Sequence, residues 1–290
     1  MKDLKTLLKG SLLDNVISEA SLLDNAISEA SLLDIDGTLN VSGEHLEIKK
    51  FLEENYTIKD NAYEISDKPN VDGKYEVIAH KVVEVKNKFI ASLTNNLFVW
   101  TKTDSSFVCR QCYDLTTLEG APREVGRSFD CSACDSLISL KGSPEKVGLT
   151  FSCSYCKQLE SLEGCPEEVG ESFYCDRCVK IKTLKDGPKK VGWNYWCTGT
   201  SIKTLEGVPE YIEGSFHVDF SKKLTSLKGG PKTVNGNFYI VDCPNLTSLD
   251  YAPKTVKGEF NCSNDAKKPK KKFTVADVKK VCKVGGEIIV

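Results

Sequence analysis

Methionine, tryptophan and histidine are scarce in this sequence, with one, three and three residues in a chain of 290. Nowhere do eighteen apolar residues run together, so the sequence predicts no membrane-spanning helix. Its charged beginning, MKDLKTLLKGSLLDN, is not typical of a secretory signal either. The three histidines lie far apart and indicate no catalytic triad: His45, His80 and His217.

An excess of charge of one sign is also lacking, because 39 basic and 41 acidic side chains leave a net charge of −2. Such a balance gives no general attraction to nucleic acid or to an anionic membrane, and we expect neither as a partner. Residues 266–290 are the local exception, with eight lysines against two acidic residues. We interpret them as a basic linker and a C-terminal helix-strand cap, the alternative being a nucleic-acid or nuclear-import signal.

Cysteine, by contrast, is abundant, with 13 residues. Since the sequence predicts a cytoplasmic protein, we expect these cysteines to be thiols or metal ligands rather than a disulfide framework. An odd number of cysteines agrees with that expectation.

A 22-residue repeat organises most of the chain. It begins with FVCRQCYDLTTLEGAPREVGRS at residue 107 and continues with FDCSACDSLISLKGSPEKVGLT at residue 129. The copy that starts at residue 195 is one residue shorter, and FNCS at residue 260 opens a last partial copy. Seven copies and this remnant cover residues 107–265.

Each copy shows the alternation of a half-buried strand, followed by L-x-[ST]-L, a glycine turn and proline. One strand per copy, stacked in register, predicts an α+β solenoid with a parallel β-sheet, since a single copy buries too little to fold alone. The sequence then divides into a helical leader, an α/β N-terminal cap, the solenoid and a C-terminal cap: residues 1–35, 36–106, 107–265 and 266–290.

The spacing of aromatic, cysteine and leucine residues resembles the leucine-rich repeat, whose consensus places asparagine or cysteine shortly after an apolar strand position. The residues that match are Phe129, Cys131, Cys134, Leu137 and Leu140. One extra residue before the next leucine, and an aromatic at the strand start, depart from that consensus. The sequence pattern LTSLxGxPKxVxGxF also resembles repeat proteins of tailed bacteriophages and gut-bacterial genomes. This resemblance implies a phage context.

The cysteines form two ladders along the repeats, and the C-x-x-C pairs have a spacing that zinc ribbons also use. In the first ladder Val218 and Ile240 replace cysteine, and in the second Thr200 and Ser221 do. Such replacements favour small buried side chains over thiolate ligands. We therefore predict neither a metal nor a cofactor, with zinc or iron–sulfur binding as the alternative.

LLDIDGTL at residues 32–39 resembles the first motif of haloacid-dehalogenase-like phosphatases. The resemblance implies a nucleophile at Asp34 and an acid/base at Asp36. However, Asp34 is the third member of a ten-residue repeat whose earlier copies contain Asp14 and Asp24 at the same position. The G-D-x-x-x-D motif that such phosphatases need later in the chain does not follow. We predict that the protein is not an enzyme, and phosphatase activity stays as an alternative.

The leader carries an apolar helical stripe: Leu4, Leu8, Leu12 and Val16. It is interpreted either as a tail packed on its own domain or as a docking peptide that lies in a partner's groove. It resembles the leaders of phage proteins that are packaged into the head, which implies a virion cargo.

The residue between the two inward positions of each strand should point outward. In the middle of the solenoid this position is aromatic four times running, as Tyr174, Trp196, His217 and Tyr239. Three further side chains are expected beside this column: Tyr155, Arg177 and Phe220. Exposed neighbouring aromatics indicate a binding face for a protein partner, of the host or of the virion. Stiffening of the sheet and glycan binding are the alternatives.

Overall fold

The computed structural model describes residues 43–58, 62–265 and 269–290. The chain divides into two units, residues 1–50 and 51–290. Within the first unit, the structure describes residues 43–50, which form the beginning of helix α1. This helix spans Gly43–Asn55. The predicted leader therefore lies outside the described residues.

Short parallel strands stack into a continuous first sheet, in which each turn adds an aromatic residue and the residue after it. Eleven strands of the described residues belong to it: Tyr56–Thr57, Val83–Val85, Phe107–Val108, Phe129–Asp130, Phe151–Ser152, Phe173–Tyr174, Tyr195–Trp196, Phe216–His217, Phe238–Tyr239, Phe260–Asn261 and Ile288–Ile289. The predicted solenoid of parallel 22-residue turns is confirmed, with about eight turns stacked on one another.

The prediction of one strand per turn is wrong, because each turn also contributes a second strand that ends in valine or isoleucine. These strands form two further sheets. The second sheet contains Tyr63–Ile65, Tyr75–Ala79, Phe98–Thr103, Glu124–Val125, Lys146–Val147, Glu168–Val169 and Lys190–Val191. The third sheet contains Tyr211–Ile212, Thr233–Val234, Thr255–Val256 and Lys283–Val284. Each of these two-residue strands in the repeats buries only its valine or isoleucine and therefore lacks the aromatic-x-cysteine alternation that marks the first strand.

The break between the second and third sheets coincides with a change in the residues that connect the second strand of a turn to the next first-sheet strand. We call this connection the corner of the turn. Early turns read Val-Gly-x-x-aromatic, whereas later turns read [IV]-x-Gly-x-Phe. Gly192 N–H donates to the carbonyl of Val169 at 3.0 Å, but Gly214 N–H donates to that of Trp193 at 3.0 Å. The shifted glycine changes the hydrogen-bond register at this point, and the second ladder is interrupted there.

Antiparallel strand pairs form the N-terminal ends of the first and second sheets. Tyr56–Thr57 pairs with Val83–Val85, and Tyr63–Ile65 pairs with Tyr75–Ala79. Near the other end lies helix α2, Val275–Val281, which begins with a capping box between Thr274 and Asp277. The strands after α2 pair with the last turn of the first and third sheets.

The core is built of columns of identical or similar side chains. Eight aromatic rings stack at centroid distances of 5.0 to 5.9 Å: Phe107, Phe129, Phe151, Phe173, Tyr195, Phe216, Phe238 and Phe260. Two cysteine columns, two leucine columns and a valine column complete the fully buried interior. Because every turn covers the side chains of the one before it, burial is gained only by stacking.

A column of glycines at the corner lets the turns approach closely. A Cβ on Gly148 would lie 2.1 Å from the carbonyl oxygen of Gly126. On Gly170 and Gly192 it would lie 1.9 Å from the carbonyl oxygen of the glycine one turn before. Glycine is therefore required by the spacing of the turns, since no Cβ fits at these distances.

Candidate binding face

The four predicted aromatic residues form one continuous column on the outer side of the first sheet. Tyr174 pairs with Trp196, Trp196 with His217, and His217 with Tyr239 in the strand register. Their ring centroids are separated by 5.8, 3.9 and 4.5 Å in that order. We call these four residues the aromatic column.

The rings of the aromatic column are half-buried, because they cover one another. The planes of Trp196 and His217 are inclined by only 21°, and those of His217 and Tyr239 by 32°. Ring edges rather than ring faces therefore point to solvent. The indole Nε1 of Trp196 is buried and has no hydrogen-bond partner among the described residues.

Carboxylates two residues further along the chain connect neighbouring turns. Asp176 accepts hydrogen bonds from the backbone N–H of Thr198 at 2.9 Å and from its hydroxyl at 2.8 Å. Asp219 accepts from the backbone N–H of Val241 at 2.8 Å and lies 3.3 Å from Nδ1 of His217. These contacts fix the orientation of the imidazole within the aromatic column.

The three remaining predicted residues occupy one equivalent position in their turns, where the backbone is left-handed. Tyr155, Arg177 and Phe220 have φ values of 62°, 58° and 57°. This conformation turns their side chains outward from the stack, and Tyr155 and Phe220 are 54% and 44% exposed. Backbone hydrogen bonds to the next turn hold each position in place.

Arg177 reaches across one complete turn to Phe220. Its guanidinium carbon lies 5.7 Å from the centroid of the Phe220 ring, a cation–π contact. The equivalent residue in the turn between them is Gly199, where a Cβ would lie 3.0 Å from Cδ of Arg177. The absence of a side chain at Gly199 lets the arginine cross the intervening turn.

The cysteine ladders are hydrogen-bonded to the backbone. The thiols of Cys134, Cys156 and Cys178 donate to the carbonyl oxygen of the first-ladder cysteine one turn before, at 3.1, 3.2 and 3.1 Å. Burial raises the pKa of the first-ladder thiols of Cys131 and Cys175, which favours the neutral form. Across the part of the chain that the structure describes, no three His, Cys, Asp or Glu side chains form a group that could hold a metal ion.

Several predicted residues cannot be placed. Asp34 and Asp36 of the phosphatase-like motif, and the leader residues Leu4, Leu8, Leu12 and Val16, lie outside the described residues. No helix in the described ranges has the length and apolar character needed to cross a membrane.

Three residues beside Arg177 and Phe220 were not predicted from the sequence as part of the binding face. Lys222, Lys223 and Ser201 lie next to Gly199 and Arg177 and line a common depression with them. The shorter copy at residue 195 was the available signal, because a missing residue must leave a gap somewhere in a stack of equal turns. Only the three-dimensional alignment of the turns locates that gap.

The chain was compared with protein-family models, curated proteins and solved structures, and no significant match was found in any of the three.

Proposed function

We propose that this protein is a non-enzymatic protein-interaction platform that binds a protein partner on the face formed by the aromatic column together with Tyr155, Arg177 and Phe220. The observation that carries the proposal is the continuous aromatic column, in which Trp196 and His217 stack at 3.9 Å. Tryptophan, tyrosine and arginine are the residues that dominate binding energy at protein interfaces.

The orientation of the rings favours a protein partner over a glycan. A sugar packs its C–H groups on a free aromatic face, whereas Trp196 and His217 cover each other's faces. Ring edges carry partial positive charge and suit carbonyl oxygens, which a polypeptide supplies in abundance. Tyr239 adds a hydroxyl, which accepts a hydrogen bond from Asn237 at 3.1 Å.

Rigidity is the proposed mechanism. The strands beneath the aromatic column are paired on both sides, and the side chains are held by their neighbours above and below. Binding then orders few groups that were free before, so little conformational entropy is lost. Zinc binding by the C-x-x-C pairs is not proposed, because the second-ladder thiols are engaged by backbone carbonyl oxygens.

The biological setting is part of the same proposal. The resemblance of the repeats to tailed-phage proteins, and the leucine-rich leader, support a phage-encoded protein that acts in the host cytoplasm or is packaged into the virion. The partner would then be a host or virion protein, and the leader a second docking element.

A quantitative pull-down from infected bacterial lysate tests the proposal. The bait is the full chain, compared with the triple variant Tyr174→Ala, Trp196→Ala, Tyr239→Ala. We expect a specific partner to be captured by the unchanged protein and lost with this variant. The matched control replaces one tryptophan and two tyrosines that are exposed elsewhere: Trp193→Ala, Tyr211→Ala, Tyr251→Ala.

The control should retain the partner, because it removes the same side-chain types from other surfaces. Circular dichroism of both variants shows whether the solenoid is intact. A partner list that is unchanged with the folded column variant would contradict the proposal.

A further inference from the structure

The single-residue deletion in the solenoid has a definite position. Between the second-ladder residue and the next apolar core residue most turns have two residues, such as Val179–Lys180 and Lys222–Lys223. The turn between these two has only Ser201. Gly199 in the same turn has no side chain. Compared with its neighbours, this turn therefore lacks one residue and one side chain at adjacent positions.

The result is a depression of about 430 Å³, which we call the notch. Its walls come from three successive turns. The lining residues are Arg177, Val179, Gly199, Thr200, Ser201, Phe220, Lys222 and Lys223. Three of these side chains are cationic and none is acidic, so the notch is a site of concentrated positive charge.

At many other positions of the solenoid surface, a cation is matched by a carboxylate one turn away. Lys146 lies 3.0 Å from Glu124, Lys157 lies 3.2 Å from Asp135, and Lys141 lies 2.9 Å from Glu119. Within the described ranges, Arg177, Lys222 and Lys223 make no such ion pair. Ion pairs between successive turns neutralise the cations at those positions, whereas the lining of the notch contains no counter-charge.

The rim of the notch is apolar. The Phe220 ring is 44% exposed and Val179 is 51% exposed. Arg177 lies over the Phe220 ring, which holds its guanidinium at the mouth of the notch. A complementary ligand therefore carries negative charge and an adjacent apolar group.

We propose that the notch binds an acidic side chain of an extended acidic and apolar segment of the protein partner. Carboxylate oxygens accept charge-assisted hydrogen bonds from guanidinium and ammonium groups, and the neighbouring apolar side chain covers Phe220 and Val179. The inference rests on the proposed function, since Arg177 and Phe220 belong to the binding face and connect the aromatic column with the notch.

Fluorescence anisotropy with a labelled synthetic peptide of alternating glutamate and leucine tests the inference on the full chain. The same peptide with glutamine in place of glutamate is the control ligand. We expect the glutamate peptide to bind at least roughly tenfold more tightly, because hydrogen bonds to charged groups exceed neutral ones by that order.

Two variants locate the site. The variant Arg177→Gln, Lys222→Gln, Lys223→Gln removes the unmatched cations, and its control, Lys141→Gln, Lys146→Gln, Lys157→Gln, removes the same charge from ion-paired positions. A second variant inserts one valine after Ser201, the residue type that Val179 supplies in the turn before, and fills the notch without changing its charge. We expect the notch variant and the insertion to lose the preference for glutamate, and the control to keep it.

The inference is overturned if neither peptide binds, if the control variant loses as much affinity as the notch variant, or if the filled notch binds as before. Failure of the proposed function is a separate result, seen when the lysate partner is indifferent to the aromatic column. A partner that depends on the column but not on the notch cations would retain the proposed function and remove this inference.

Discussion

The thiol of Cys134 donates a hydrogen bond to the carbonyl oxygen of Cys109 at 3.1 Å, and so connects two successive turns. Cys156 and Cys178 repeat the relationship one and two turns later. Thr200 occupies the same column and donates its hydroxyl to the carbonyl oxygen of Cys197 at 3.0 Å. The column therefore holds small buried side chains, most of which donate a hydrogen bond to a backbone carbonyl oxygen. Ser221 is the exception, because its buried hydroxyl has no partner among the described residues.

Replacing Cys156 by serine or valine should separate donor capacity from size. Cys156→Ser keeps a donor for the carbonyl of Cys131, and we expect a loss of about 1 kcal/mol or less in the free energy of unfolding. Cys156→Val removes the donor and adds bulk in a packed core, which should cost about 3 kcal/mol. Urea unfolding followed by circular dichroism measures both values.

A metal site would behave in the opposite way, since serine does not replace a thiolate ligand of zinc. Unfolding should be unchanged by a chelator if the ladder is structural. Equal, large losses in both Cys156 variants, accompanied by release of bound zinc, would contradict the hydrogen-bonded ladder.

Alkaline pH should destabilise the protein. Burial raises the pKa of Cys243 to about 12, whereas an unfolded thiol ionises near about 8.5. The contribution of this thiol is fully present below about pH 8.5 and is lost as pH rises towards the folded-state pKa. Each such thiol should remove about 1.4 kcal/mol per pH unit in that window.

Urea unfolding under reducing conditions, from pH 8 to pH 10, measures this slope. Cys243→Ser should reduce this slope by the contribution of one thiol, because serine does not ionise in that range. Serine also keeps a donor for the carbonyl oxygen of Val218, which lies 3.5 Å from the thiol of Cys243. A free energy of unfolding that stays level across the interval would show that the thiols are not buried in solution.

Gly170 should not tolerate a side chain. In Gly170→Ala the new Cβ would meet the carbonyl oxygen of Gly148 at 1.9 Å, so the turns must separate. We expect a loss of about 4 kcal/mol or more in the free energy of unfolding, a size typical of strain within a packed structure. Thermal unfolding monitored by calorimetry measures it.

The control is Gly187→Ala. Its Cβ would lie 2.9 Å from the end of the Leu162 side chain and 3.0 Å from the carbonyl oxygen of Leu184. Both contacts are much longer than the 1.9 Å contact at Gly170, and the leucine side chain can adjust. We expect a clearly smaller loss, of about 1 kcal/mol. Similar values for the two variants would refute the account of the corner as a close backbone contact.

Much of the solenoid could be predicted because its inward positions recur at a fixed period. Phe129, Cys131 and Leu137 each begin or continue a column that the repeat alone identifies. The second strand, such as Glu168–Val169, could not be predicted, since it buries only its valine and lacks the alternation of the first strand. Nor could the left-handed backbone of Tyr155 and Phe220, which bulky residues adopt here because the next turn holds their N–H groups.

The sequence by itself determined which residues lie above one another, because an equal number of residues per turn fixes the register of a stack. It therefore determined the aromatic column from Tyr174 to Tyr239 and the cysteine ladders. Only the tertiary structure decided that Trp196 and His217 present edges rather than faces, and that a missing residue beside Ser201 leaves a notch. Ring tilt and the closure of a gap depend on the packing of the turns on both sides at once, and no single repeat contains that information.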